Sequence, residues 1–105
     1  MSAARTDRVF SALADPNRRR IVEHLAGAGP ATATTLAARL GVSRQGAAKH
    51  LSSLSEAGIV SPSRQGREVL YELRDQGLAP GVDWLGRIDG EWERRLGSLK
   101  RHLDG

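Results

Sequence analysis

The sequence predicts a mostly α-helical fold with one small β-hairpin, and three stretches carry that prediction. Between Ala31 and Leu54, two short segments with apolar residues at helical spacing are separated by Gly41. Between 59 and 73, two extended runs flank Gln65-Gly66, and from Val82 to Leu103 apolar residues recur every three or four positions. A chain of 105 residues is expected to form a single domain over 1–105. That length is small for a large core but sufficient, particularly if two copies associate.

Taken in order, Thr6 to Ala14 places Val9, Phe10 and Leu13 at helical spacing, so a short first helix is expected. Asp15-Pro16 reads as a junction: Asp caps the next helix, and Pro at its first position gives up an N–H that has no partner there. The second helix should run from Pro16 to about Ala26 and bury Ile21, Val22 and Leu25. Arg18, Arg19 and Arg20 point about 100° apart, so they cannot form one patch. Solvated charges, with one phosphate contact at most, are the expectation for them. Gly27-Ala28-Gly29-Pro30 ends the helix.

The next segment, about 32–57, holds two helices. Leu36, Ala37 and Leu40 line the first, Gly41 breaks the pattern and Val42 anchors the turn. Ser43 is a good N-cap, and Ala47, Leu51 and Leu54 share one face of the second helix, which runs to about Ala57. Two short helices joined by a tight Gly-containing turn form a helix-turn-helix, whose second helix commonly enters a DNA major groove. Burial of that face leaves Arg44, Gln45, Ala48, Lys49 and Ser52 toward solvent. Arg and Gln side chains fit base edges, and Lys49 suits a phosphate. The plain alternative is an ordinary helix pair with a solvated charged face.

After Gly58, residues 59–73 read as a hairpin. Val69, Tyr71 and Leu73 alternate with Glu68 and Glu72, the pattern of a half-buried strand, with Leu70 as an exception on the outer face. Gln65-Gly66 supplies the turn, and Arg64 and Arg67 sit at the tip. Pro62 cannot donate to a ladder, so the first strand should be short or irregular there. A two-stranded hairpin is marginal alone and must pack on the helices. A basic hairpin directly after a helix-turn-helix is the wing of a winged helix, and Arg64 and Arg67 are expected on the DNA backbone.

Asp75 to Pro80 reads as a loop. From Val82 the residues Leu85, Ile88, Trp92, Leu96, Leu99 and Leu103 continue a heptad-like stripe, a helix over about 82–103 roughly 33 Å long. Trp84 lies off the stripe, facing either the first helix or a partner chain. Gly86, Gly90 and Gly97 weaken this helix by about 1 kcal/mol each, so it needs a surface to lie on. A small domain offers limited cover, and a dimer interface is expected in place of simple self-coverage.

Composition narrows the function classes. Sixteen Lys and Arg against 12 acids give net charge +4, which favours an anionic partner. The absence of Cys removes disulfides and thiolate metal sites. Neither a secretory signal nor a membrane span is recognisable, so a cytoplasmic, nucleoid-associated protein is expected. The three His fall on separate helices and belong to no nucleophile, metal or phosphate-loop motif, so no catalytic residue, no enzyme and no cofactor are expected.

With these parts in order, the chain resembles the ArsR/SmtB family of bacterial transcriptional repressors. The resemblance rests on ALADPNRRRIVEHL at 12–25, TLAARLGVSRQGAAKHLSSLSEAGIV at 35–60, GREVLYEL at 66–73 and WLGRIDGEWERRLGSLKRHL at 84–103. It implies a winged-helix homodimer paired through its first and last helices and bound to an inverted repeat of double-stranded DNA. DNA contacts would come from Ser43, Arg44, Gln45, Ala48 and Lys49, with His50 either on a phosphate or in a structural hydrogen bond, and from Arg64 and Arg67. The dimer would be lined by Val9, Phe10, Leu13, Leu85, Ile88, Trp92, Leu96 and Leu99. Two departures matter. Thr32-Ala33-Thr34-Thr35 stands where metal-sensing members have paired Cys, and Asp83, Asp89 and Glu93 have only His102 for an imidazole, about 28 Å along the helix from Asp83. The resemblance is therefore to the branch without metal sites, released by an unidentified small molecule or protein if by anything. Gly46, inside the recognition helix, replaces a bulkier residue and costs helix stability. The alternative reading is a winged-helix protein–protein module that does not bind DNA.

Overall fold

The computed structural model describes residues 3–104. Helices α1 (Ala3–Leu13), α2 (Pro16–Ala28), α3 (Ala33–Leu40) and α4 (Arg44–Glu56) precede strands β1 (Val60–Gln65) and β2 (Glu68–Leu73), and α5 (Ala79–Asp104) ends the chain. The first four helices and the hairpin enclose one core of Val9, Ala12, Ile21, Leu25, Leu36, Leu51, Leu54, Ile59 and Val60. Ala47 and Ala37 are buried beside it.

The junctions form as local chemistry dictates. The Asp15 carboxylate accepts from the amides of Asn17 at 2.7 Å and Arg18 at 3.2 Å, closing the start of α2. Gly41 takes a left-handed φ of 72° and donates to Ala37 at 2.9 Å, which lets α3 stop and α4 start within three residues. The Ser43 hydroxyl accepts from Gly46 N–H at 2.9 Å.

The hairpin corrects two expectations. Its loop is Gly66-Arg67, because Gln65 still pairs with Glu68; a Gly66 φ of 62° suits the first position of a type II′ turn. Nor is β1 irregular at Pro62, which pairs in register with Tyr71. Tyr71 turns both its backbone groups the other way, donating to Ala31 O at 2.8 Å and accepting from Ala31 N at 3.0 Å. Pro62 therefore stands at a non-hydrogen-bonded position, and its missing N–H falls on the free edge. The Ala31 bridge, not anticipated from sequence, ties the segment before α3 to the wing.

Helix α5 begins three residues earlier than expected and is attached to the body mainly through α1. Gly81 permits that approach: a Cβ there would stand 3.0 Å from Val9 Cγ1. Trp84 meets Phe10 edge-on with ring centroids 5.6 Å apart, so it packs on its own first helix. Val9 is only 2% exposed. Its assignment to a dimer surface is therefore wrong, because its side chain already lies within the protomer's core. Phe10 and Leu13 are half-buried. Beyond Gly81 the stripe of α5 is bare, from Ile88 at 38% to Leu103 at 75% exposed.

Candidate nucleic-acid interface

The buried face of α4 holds Ala47, Leu51 and Leu54, so the opposite face is presented to solvent. Ser43, Arg44, Gln45, Ala48, Lys49 and Ser52 are all exposed. An open groove of about 790 Å³ runs beside them, bounded by Arg44, Gln45 and Ala48 from α4, Arg67, Glu68, Val69 and Tyr71 from the hairpin, and Thr32, Ala33, Thr34 and Thr35 from the start of α3. The fold thus brings four of the sequence-assigned residues to one concave surface. Ser43, Lys49, His50 and Arg64 lie outside it.

The threonines and Glu68 were missed by sequence reasoning. Thr32 caps α3 by accepting from Thr35 N–H at 3.1 Å, and that pattern of two Thr three residues apart was a readable signal of a helix start. That the start opens beside the wing was not readable, because it follows from the Ala31–Tyr71 bridge.

His50 is half-buried and lies near the start of α2. Desolvation, the largest single influence, pushes the Asp15 carboxyl up, but the Arg18 and Asn17 amides, together with the charges of His50 and Arg18, jointly outweigh it and hold its pKa below the ordinary value. Gly46 faces back into the turn: a Cβ there would meet Ser43 Oγ at 3.1 Å and Val42 Cβ at 3.8 Å. The glycine thus gives the capping hydroxyl room.

Two sets of arginines behave in opposite ways. Arg18 donates from Nε to Ala12 O at 2.6 Å, Arg19 to Leu13 O at 2.7 Å and Arg20 to Arg39 O at 3.1 Å. These three close the carbonyl ends of α1 and α3, a favourable place for cations, where solvated charges were expected. Among the described residues, Arg44, Lys49, Arg64 and Arg67 make no hydrogen bond or ion pair within the chain. Their donors are free.

A two-helix motif with an exposed basic second helix, followed by a basic hairpin, defines a winged helix-turn-helix protein. Comparison with known proteins agrees. Residues 13–62 match a helix-turn-helix domain family. The transcriptional repressor SdpR of Bacillus subtilis is 34% identical over 77 residues, which are 73% of this chain and 84% of that protein. An ArsR-like transcriptional regulator from Rhodococcus sp. RHA1 superposes with a TM-score of 0.76 at 41% identity, covering 93% of this chain and 92% of its own. A homodimeric winged helix-turn-helix DNA-binding domain from Mycobacterium bovis gives a TM-score of 0.67 at 25% identity, covering 84% of this chain and 81% of its own. The chain belongs to the ArsR family of winged helix-turn-helix transcriptional regulators, which are not enzymes.

Among the described residues no group of three or more His, Cys, Asp or Glu is arranged to hold a metal ion, and no helix is long and apolar enough to cross a membrane.

Proposed function

We propose that this chain is a sequence-specific repressor that binds an inverted-repeat operator as a homodimer and senses no metal. The observation that carries the reading is the set of free donors on α4 and the wing, which flank one groove, while Arg18, Arg19 and Arg20 are engaged with backbone carbonyls. Two recognition helices, one per protomer, would enter successive major grooves about 34–36 Å apart. Arg44 and Gln45 would read base edges, with Ala48 against a thymine methyl group and Ser43, Lys49 and His50 near the backbone. Arg64 and Arg67 would grip flanking phosphates. The name of the Bacillus relative supports repression, and the dimeric Mycobacterium domain supports pairing. With no thiolate in the chain, release falls to a small molecule, a protein or simple dilution. A cytoplasmic, nucleoid-associated location follows from this reading.

Selection of bound sequences from a random duplex pool tests it. An enriched inverted repeat, bound more weakly as salt rises, is expected; absence of enrichment by a folded protein favours the interaction-module alternative. On the selected duplex, Arg44→Ala should cost about 1–3 kcal/mol of discrimination at one base position. Arg67→Ala should weaken all duplexes alike and lower the salt slope by about one. Equal loss of preference in both variants contradicts this division of roles.

A further inference from the structure

We propose that Tyr71 is a DNA-contacting residue: its hydroxyl, together with that of Thr35, donates to a backbone phosphate and adds grip on the duplex that carries no charge. This rests on the DNA-binding reading above. It adds a residue to which neither the helix-turn-helix pattern nor the basic wing pointed.

The place of Tyr71 is fixed from both sides. Its backbone pairs with Pro62 of β1 on one edge and exchanges bonds of 2.8 and 3.0 Å with Ala31 on the other. Its ring packs against the core, yet the residue also lines the groove between α4 and the hairpin. A phenol held in this way keeps its apolar body inward and its polar end toward water. Among the described residues the hydroxyl has no hydrogen-bond partner within the chain. It is also not shut off from solvent, since no buried side-chain oxygen lacks a partner. Tyr71 therefore presents a free O–H donor.

Across the same groove, the hydroxyls at the start of α3 are polarised in one direction. Thr32 Oγ1 accepts from the Thr35 amide at 3.1 Å and donates its own proton to Thr35 Oγ1 at 3.2 Å. The proton of Thr35 is left to point elsewhere, and Thr35 is exposed on the groove. With α4 in a major groove and the hairpin on its flank, the sugar–phosphate strand bordering that groove passes between them. A phosphate there accepts from hydroxyls as well as from cations. The two kinds of donor differ in one measurable respect. A cation neutralises the phosphate and releases counterions, whereas a neutral hydroxyl releases none.

Tyr71→Phe removes the hydroxyl and leaves the ring on the core, so urea unfolding should be unchanged. Binding is then followed across salt concentrations on the selected duplex and on unselected ones. Affinity should fall about tenfold on both, with the base preference and the salt slope of the parent retained. Thr35→Val should weaken binding in the same slope-neutral way, whereas Arg67→Ala lowers the slope by about one. Ethylation of single phosphates locates the contact. One phosphate in each half-site should weaken the parent when ethylated and leave Tyr71→Phe no weaker than before, a pattern that decides even if the variant loses some stability. Full affinity in Tyr71→Phe overturns the proposal. So does a changed base preference, which puts the hydroxyl on a base edge, or a slope lowered by one, which makes it act through an arginine. Displacement of the duplex by inorganic phosphate beyond that by chloride at equal ionic strength assigns the hydroxyls to a free anion and overturns it too. A parent that binds no duplex overturns the DNA-binding reading itself and this proposal with it.

Discussion

The body of this protein and its last helix solve the same packing problem in opposite ways. In residues 3–78 the large apolar side chains converge on one core, and Ile21, Leu36, Leu51, Leu54 and Ile59 are wholly buried. In α5 only Pro80 and Gly81 are buried, while two Trp and six aliphatic side chains stand exposed. The helix extends the chain to 66 Å against 28 and 20 Å in the other directions. The body therefore completes its own hydrophobic burial and is left with a polar, basic face. Beyond Trp84, which packs on Phe10, the helix is amphipathic without a partner in its own chain. One region is finished as a fold and unfinished as a binding surface, and the other is unfinished as a fold.

The contrast can be tested from its largest effect downward. Leu54→Ala opens a cavity in the finished core and should lower unfolding stability by about 2–5 kcal/mol, measured by urea denaturation. Loss under 1 kcal/mol would mean that the core relaxes around the hole. At the seam between the regions, Gly81→Val drives branched carbons into Val9 and Phe10 and should cost about 1–3 kcal/mol. The same change at Gly86, where a Cβ meets nothing within 4 Å, escapes this clash, so equal losses at the two sites would deny the close approach.

The smallest effect belongs to the Asp15 cap and depends on pH. Its folded pKa is held below the ordinary value of 3.8, so the carboxylate's contribution is complete above that value and fades as pH falls through the lower folded one. Asp15→Ala should thus be less stable than the parent at neutral pH, and the gap should close in acid. A gap independent of pH would mean that the side chain acts through packing.

What was legible in the sequence follows from how far apart the interacting residues lie. The Asp15 and Ser43 caps, the Gly41 turn and the core face of α4 are decided within a few residues, and local chemistry reveals them. The exposed face of α4 follows as the complement of its buried one. The roles of Arg18, Arg19 and Arg20 depend on where α1 and α3 end in space, so the same residues looked like solvated charges. Pro62 misled because its cost depends on the phase of the ladder, which is fixed by a bridge to Ala31 some 30 residues away. Val9 misled for a related reason: helical spacing shows which residues share a face, but not whether that face meets its own chain or another.

On the proposed function, the body reads DNA while α5 supplies only the pairing of two copies. Sedimentation of the parent and of Trp92→Asp, free and on the selected duplex, tests it most directly. The parent should sediment as a dimer with two chains per duplex. Trp92→Asp should remain folded, sediment as a monomer, keep the same half-site preference and lose affinity for the full repeat by about 100-fold. A monomeric parent that binds the repeat at full affinity would contradict the account, as would a Trp92→Asp dimer that has lost its sequence preference.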